Sequence, residues 1–423
     1  MCYEKQLSKP ITDYVSGISL KPLVTQSPSP RCEVSVIVPV RNESETLFGT
    51  LHALAHQIDL EGNPLDRECY EIILLANNCS DNSAAIAKCF AAQHPTLALH
   101  VVELTLPASQ AYIGRVRRIL MDEAYRRLIS LERRRGVIAS TDGDTQVSPT
   151  WIAATLDEIA CGADAVGGRI LIRRAERLAL EPSTRAYHLR EVGYRYLVAE
   201  IETYLDPDPD DVWPRHYQNF GASLAVTAEM YEQAGGLPPV RTPEDVAFYR
   251  ALVRVNARFR HSPKVRVVTS ARQTGRTSQG LANQLNKWAA MGRQQQPFLV
   301  EPAAAIETRL RGRHGLRVQW RRILNGYQPT YRDIAPLANH LGVATGWLMN
   351  ELALLHPFGL LLERIEQRQQ ERGAWVKRWP LVTIEQAICD LRIRLDCLRR
   401  GQNCQQRNCT CYECKEDSLQ PLE

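Results

Sequence analysis

The first thirty residues are polar and punctuated by proline, ending in Gln26-Ser-Pro-Ser-Pro30, and residues 1–30 read as a flexible leader. The pattern then changes. Glu33-Val-Ser-Val-Ile-Val-Pro39 is a short β-branched apolar run, the signature of a strand buried on both faces, and after Arg41 the chain turns polar and then periodic as a helix does. Glu71-Ile-Ile-Leu-Leu-Ala76 repeats the run, followed by the polar turn Asn77-Asn-Cys-Ser-Asp-Asn-Ser83 and a helical stretch, Ala84 to Gln93. A third strand, Ala98 to Leu104, leads to a helix from Ile113 to Leu131, and a fourth strand spans Gly136 to Ser140. Strand, polar turn and helix in repetition predict βαβ units and a parallel sheet. Further along, a helix is predicted over Val246 to Val255 and a last strand over Lys264 to Thr269.

Beyond residue 280 the period is helical throughout: Leu281 to Met291, Ile306 to Leu324, Trp347 to Leu355, Leu360 to Arg372 and Ile384 to Arg399. The predicted organisation is therefore an α/β domain over 31–279, a helical region over 280–400 and a cysteine-rich tail over 401–423. The most apolar later window, Leu341 to Leu362, is interrupted by Asn350, Glu351, His356 and Pro357 and makes a poor membrane span.

Composition sharpens this division. The 423 residues are 44% hydrophobic, as a core-forming globular chain requires. Residues 1–275 carry 31 Lys+Arg against 33 Asp+Glu, whereas 276–423 carry 21 against 14, so the basic surplus lies in the last third. Arg309, Arg311, Arg313, Arg317, Arg321 and Arg322 form its densest stretch. A solvated helix face explains that stretch, and attraction to anionic lipid headgroups is the functional alternative. The N-terminus has no apolar signal core, and a cytoplasmic chain with its twelve cysteines reduced is expected. Cys404, Cys409, Cys411 and Cys414 lack the paired Cys-x2-Cys knuckles of a strong zinc signal, and reduced thiols on a disordered tail are the expectation there.

The candidate chemistry begins where the fourth strand ends, in Thr141-Asp-Gly-Asp144. Two carboxylates one residue apart repel unless water or a cation screens them. A solvated turn is the plain reading. At the carboxyl end of a sheet strand, however, both can aim hard oxygen ligands at one Mg²⁺ or Mn²⁺ that bridges the phosphates of a ligand. Neither a Gly-x-Gly-x-x-Gly turn after the first strand nor a P-loop occurs. Neither a dinucleotide nor a P-loop site is therefore indicated, and a metal that neutralises a departing diphosphate implies group transfer from a nucleoside diphosphate carrier.

Val34-Ser-Val-Ile-Val-Pro-Val-Arg-Asn-Glu43, Leu75-Ala-Asn-Asn-Cys-Ser-Asp-Asn-Ser83, Thr141-Asp-Gly-Asp144 and Pro243-Glu-Asp245 resemble, in order and spacing, the motifs of family 2 glycosyltransferases. The resemblance covers roughly residues 32–280. It implies the GT-A fold, a Rossmann-like nucleotide-diphospho-sugar transferase sheet, mostly parallel with flanking helices, here followed by the helical C-terminal extension. It also implies a nucleotide-sugar donor, a hydroxyl acceptor (saccharide, lipid-linked or small metabolite), Mn²⁺ or Mg²⁺, and usually inversion at the anomeric carbon. Carried over residue by residue, Pro39, Val40 and Glu43 line the base and ribose. Asn77 stands where many members have a base-reading aspartate, a departure that leaves the base open. Arg117 falls where an arginine faces the donor, Asp142 lies near ribose and metal, and Asp144 is the direct metal ligand. Asp245 is the expected catalytic base with Glu244 orienting it, although the pair also suits the first turn of a helix.

Trp213, Arg215 and His216 border the expected acceptor region, where a proline-stiffened surface loop is the plain alternative. Arg272 and Arg276 lie where a diphosphate would be clamped. No nucleic-acid partner is expected, and membrane contact would run through the basic helices. Two other functions stay open at this stage. One is a retaining GT-A transferase with His216 or His261 as a third metal ligand, and the other is a glycosyltransferase-like binding module without catalysis.

Overall fold

The computed structural model describes residues 22–272, 275 and 280–406. In chain order the elements are β1 (Val34–Val40), α1 (Leu47–Ala55), β2 (Tyr70–Asn77), α2 (Ser83–Gln93), β3 (Leu99–Leu104), α3 (Ile113–Ser130), β4 (Val137–Ser140), β5 (Gln146–Val147), α4 (Trp151–Ala160), β6 (Ala165–Ile172), α5 (Arg174–Ala179) and α6 (Pro182–Leu205). They continue with β7 (Leu224–Thr227), α7 (Ala228–Gln233), α8 (Glu244–Arg254), β8 (Phe259–Thr269), α9 (Leu281–Arg293), β9 (Leu299–Val300), α10 (Ala303–Leu324), α11 (Tyr331–Leu341), α12 (Thr345–Ala353), α13 (Phe358–Arg372), α14 (Ala374–Arg378), β10 (Val382–Thr383) and α15 (Ile384–Gln406).

Eight strands form one sheet in the order β3-β2-β1-β4-β7-β6-β8-β5. β3, β2, β1 and β4 run parallel, β7 is antiparallel to β4 and to β6, and β8 runs parallel to β6. The reason is visible in β1. Val34, Val36, Val38 and Val40 pack into one apolar cluster and Ile37 into the other, so both faces are covered and the strand has to be apolar at nearly every position. The chain leaves β1 toward β2 on one side and returns to β4 on the other. The crevice above the carboxyl ends of β1 and β4 is therefore the switch point where open α/β sheets hold ligands. Together with the flanking helices and the helical C-terminal region, this is the GT-A architecture that the resemblance implied.

The compact units do not follow the sequence boundary at residue 280. Among the described residues, 183–213 belong with 290–406 in a helical unit, and the sheet unit holds the rest. Packing explains the reassignment: Tyr194 and Ile201 of α6 share one buried cluster with Ile306, Leu310, Ile384 and Leu391. Within that unit Arg313 and Arg317 bind the buried carboxylate of Asp206. Arg309 pairs with Glu301 and Arg311 with Glu307. Four of the six arginines of the basic stretch are thus committed to carboxylates, which weakens the lipid-facing reading. Among the described residues no helix is long and apolar enough to cross a membrane.

Residues 23 and 24, expected within the flexible leader, pack on the sheet unit instead. The backbone N–H groups of Leu23 and Val24 donate to Glu123 at 3.0 and 3.2 Å, and Val24 is buried in the core. Residues 1–21 lie outside the described residues, as do Arg276, Cys409, Cys411 and Cys414, so the tail readings are not addressed by the fold. Cys404 falls in α15, and its side chain is outside the described set as well.

One buried ion pair braces α3 against the sheet beneath the crevice. Arg127 Nε donates to Glu71 Oε1 at 2.9 Å, and Ser35 Oγ donates to the same oxygen at 2.6 Å. Burial would raise the Glu71 pKa, but hydrogen bonds from His100, Arg127 and Ser35 outweigh it and hold the carboxyl down at about 2. A depressed folded-state pKa contributes stability that is complete above the unfolded value, near 4.5, and is lost as pH falls toward 2. The contribution is about 3 kcal/mol at neutral pH. Urea midpoints measured between pH 6 and pH 3 should therefore fall steeply for the wild type. Glu71→Gln should be less stable at pH 7 and flatter across that window; an unchanged acid slope would contradict the assignment.

Candidate active site

The turns that follow β1 and β2 are locked to each other before they meet any ligand. Asn42 and Asn78 take left-handed backbone conformations, φ 56° and 49°, which asparagine tolerates better than most residues. Asn42 Oδ1 accepts from Ser80 N at 2.8 Å, Ser83 Oγ accepts from Glu43 N at 2.7 Å, and Asp81 Oδ2 accepts from Ser44 N at 3.0 Å. Pro39 and Val40 end the buried strand, with the Val40 side chain turned into the core. Any contact they make with a base would therefore come from the strand end and its backbone. Asn77 is likewise buried. Its amide nitrogen donates to Asn78 Oδ1 and to Leu104 O, at 2.6 and 3.1 Å, which leaves its carbonyl oxygen as the group to offer a ligand.

Arg117 is the hub of the crevice. It sits on the first turns of α3, where Gly114 lets the helix approach the 238–244 segment: a Cβ there would lie 1.9 Å from Val240 O. Its Nε donates to Glu244 Oε1 at 3.1 Å, Nη2 to Asp142 Oδ1 at 2.9 Å, and Nη1 to Gly221 O at 3.0 Å and to Ser140 Oγ. Only 3% of the side chain is exposed. Burial alone would discourage the charge, but Asp142 and Glu244 outweigh it and raise the pKa further. One guanidinium thus ties the Asp142-Gly-Asp144 turn to the Glu244-Asp245 helix start. Gly221 is held against the same group, and a Cβ at that position would lie 2.6 Å from Arg117 Cζ.

Arg272 makes the second bridge. It binds Glu43 with both nitrogens, Nη1 to Oε2 at 2.6 Å and Nη2 to Oε1 at 2.9 Å, and Nη2 also lies 3.1 Å from Asp144 Oδ2. Glu176 fixes the segment that carries Arg272 by accepting from Ser270 Oγ and Ala271 N. Arg173 donates to the Asp144 carbonyl at 3.3 Å. Neither Glu176 nor Arg173 was legible in the sequence, because both come from a surface-like charged run, Arg173-Arg-Ala-Glu176, with no motif of its own.

The site gathers Glu43, Asp142, Asp144, Glu244 and Asp245 around two arginines, Arg117 and Arg272, which between them touch the carboxylates of the first four. The excess negative charge has a consequence. Burial first, then the charge on Asp142, push Asp144 up to about 6 against the pull of Arg272. Two hard oxygen donors within a local surplus of carboxylates suit Mg²⁺ or Mn²⁺, so the residues fit the ion. Asp142 is the more accessible, with 35% of its side chain exposed. Among the described residues no group of three or more His, Cys, Asp or Glu converges as a cage. The remaining ligands would have to come from a bound diphosphate and water.

The acidic pair opens α8, as its alternative helix-start role requires. Asp245 Oδ2 accepts from Gly221 N at 3.0 Å and Oδ1 from Val246 N at 2.8 Å, which fixes the carboxylate while leaving each oxygen a lone pair. Burial raises the Asp245 pKa, and the N–H groups together with Arg117 oppose the rise without cancelling it. Glu244, bound to Arg117 through Oε1, is raised by burial and by the charge of Asp245.

The acceptor residues fare differently. His216 is completely buried, with Nε2 3.1 Å from Ser262 O and Nδ1 accepting from Gln218 N at 3.0 Å. Both ring nitrogens are spent inside the fold, so the expectation that His216 borders the acceptor is corrected. Arg215 is buried too, whereas Trp213 stands 46% exposed at the end of the helical unit's first segment.

Among solved structures, the mannosyltransferase PcManGT from Pyrobaculum calidifontis, in complex with GDP-Man and Mn²⁺, is similar at 16% identity over 89% of this chain and 91% of that one, with a TM-score of 0.40. TarS 1–349 from S. aureus in complex with UDP gives 12% identity, 81% and 92% coverage and a TM-score of 0.38. Glucosyl-3-phosphoglycerate synthase from Mycobacterium tuberculosis, in complex with Mn²⁺, UDP-glucose and phosphoglyceric acid, gives 15%, 66% and 80%, with a TM-score of 0.33. No curated protein sequence matches the chain. Residues 35–212 match the family model Glycosyl transferase family 2, a span that runs from β1 through the two turns, Arg117 and both aspartates of the β4 turn. The chain thus carries a glycosyl transferase family 2 domain and is a glycosyltransferase.

Proposed function

We propose that the chain is a metal-dependent, inverting glycosyltransferase that moves a sugar from a nucleoside diphosphate to a hydroxyl acceptor. The observation that carries this reading is the single buried guanidinium of Arg117 binding a carboxylate from each acidic motif. It holds the residues suited to the leaving diphosphate and those suited to the attacking hydroxyl in one fixed frame.

In this reading Asp142 and Asp144 hold Mg²⁺ or Mn²⁺, which when bound neutralises charge on the departing diphosphate. Pro39, Val40, Glu43 and Asn77 border the base and ribose at the ends of β1 and β2. Arg272 exchanges part of its contact with Glu43 and Asp144 for phosphate oxygens, a charge-assisted replacement of similar kind. Asp245 takes the proton of the acceptor hydroxyl as that oxygen attacks the anomeric carbon from the face opposite the diphosphate. Glu244 orients the base through Arg117. Trp213 and Arg215 stay as acceptor candidates on the strength of the resemblance, and a cytoplasmic setting belongs to the same proposal. The retaining alternative drew on His216 or His261. The first has both nitrogens committed, and the second is buried against Phe259, Tyr249 and His216, so no observation favours it.

Two measurements follow. Asp245→Asn keeps the shape and the contacts to Gly221 and Val246 but cannot accept a proton. Transfer should fall by roughly two to four orders of magnitude while donor affinity persists. In the wild type the acid limb of kcat/KM should sit above the ordinary aspartate range, because the base must be ionised and burial raises its pKa. A limb near pH 4, or an Asp245→Asn enzyme of near wild-type turnover, would remove Asp245 from the role. For the ion, calorimetric titration of a nucleoside diphosphate into Asp144→Ala should lose the gain in affinity that Mn²⁺ gives the wild type. Retention of that gain would place the metal elsewhere.

A further inference from the structure

The helical unit contains an arrangement that the transfer reaction does not use. α11 ends at Leu341, the three residues Gly342, Val343 and Ala344 make the turn, and α12 begins at Thr345. Gly342 takes the left-handed conformation, φ 66° and ψ 30°, with its N–H donating to Asn339 O at 3.1 Å, so the chain reverses direction at a residue without a side-chain penalty. Ile334, Ala338, Leu341, Val343, Leu348 and Leu352 point into one buried cluster shared with Leu316 of α10 and with Phe358, Leu361 and Ile365 of α13. Ala338 is fully buried, and Gly312 of α10 brings that helix so close that a Cβ there would lie 2.8 Å from Leu341. A small residue, then a turn glycine four positions on, then buried apolar residues on the following helix are what a helix-turn-helix requires.

We propose that α10–α13 form a helix-turn-helix that binds duplex DNA, with α12 as the recognition helix. This departs from the expectation of no nucleic-acid partner and is independent of the catalytic reading. The outward residues of α12 and its turn, Thr345, Gly346 and Asn350, are small or carry a hydroxyl or amide, the groups that read base edges in a major groove. The only acid on that helix is withdrawn from the surface: Glu351 is buried, its Oε1 accepting from Arg364 Nη2 at 2.8 Å and its other oxygen bound by the same side chain.

The charge around it is of the right sign. Residues 303–378 hold twelve Lys and Arg against six Asp and Glu. Arg321 and Arg322 occupy the last turn of α10 and Arg332 the first turn of α11, all exposed. None of the three is paired with a carboxylate in the described structure, in contrast to Arg309, Arg311, Arg313 and Arg317 upstream. Arg322 instead lies over the Tyr327 ring, 3.9 Å from its centroid, which fixes its direction. The helix that precedes a recognition helix crosses the phosphate backbone, and Arg332 sits at the start of that helix here. A capping box between Thr330 and Asp333 secures the same first turn.

The test uses the full chain and a fluorescent duplex of about 30 base pairs and mixed sequence, read by anisotropy. Three phosphate contacts predict an affinity that falls about fortyfold between about 50 and 200 mM salt. Arg321→Glu with Arg332→Glu should weaken binding at least tenfold and make the salt dependence shallower by about two phosphate equivalents, with the circular dichroism spectrum unchanged. Asn350→Ala should keep this non-specific binding and lose the enrichment of particular sites from a random duplex pool. The proposal is overturned by absence of duplex binding at low salt or by binding indifferent to the double reversal. It is also overturned if phosphatidylserine vesicles are bound and duplex is not.

Discussion

The site depends on one buried cation being shared by carboxylates from two distant segments of the chain. Arg117 reaches Asp142, 25 residues away, and Glu244, 127 residues away, and its own charge is tolerated in the interior only because both are there. Removing either acid would leave a buried positive charge undercompensated, and removing the arginine would leave carboxylates facing one another. That mutual requirement fixes the distance between the turn after β4 and the start of α8. It also commits Gly221 to being a glycine, since the guanidinium occupies the space of its side chain. Chemistry at the crevice inherits its geometry from this packing constraint.

Around that hub the charge does not balance, and the imbalance is where the function lies. Five carboxylates gather around Arg117 and Arg272, and burial, with the nearby charge of Asp142, raises Asp144 and Asp245 above the ordinary aspartate range. A fold built only for stability would place apolar groups or further cations there. The proposed function, which brings in a divalent ion with a diphosphate and takes a proton from a hydroxyl, would use the excess. Arg272 holds the site in register between Glu43 and Asp144 while staying 30% exposed, which suits a group that changes partners when a ligand arrives.

Much of this was legible in the sequence where a local rule decides. β1, β2 and β4 had to be mostly apolar runs because both their faces are covered, and polar or acidic turns follow directly from their ends. Where a distant contact decides, the pattern was silent. β6 went unread because Gly167 and Gly168 interrupt it, and those glycines exist for a neighbour that no local rule announces: a Cβ on Gly168 would lie 2.1 Å from Ser223 Oγ, and one on Gly167 2.5 Å from Gln218 O. The same chain segment hides β7, only four residues long, and buries His216, whose loop-like surroundings had suggested an exposed ligand. α6 looked like part of the sheet domain until Tyr194 and Ile201 were seen to pack with α10 and α15. α11 carries Pro336 in its interior, a residue that argues against a helix unless the capping box and the Ala338-x3-Gly342 spacing are weighed with it.

The central claim is that one frame holds the departing diphosphate and the base for the incoming oxygen on opposite sides of the anomeric carbon. The most direct test needs no knowledge of the acceptor, because water can take its place. The enzyme is mixed with a nucleoside diphosphate sugar and Mn²⁺, and the released sugar is followed by proton NMR in the first minutes, before mutarotation scrambles it. The account predicts that the first sugar to appear has the anomeric configuration opposite to that of the donor. A first product that keeps the donor's configuration would contradict it.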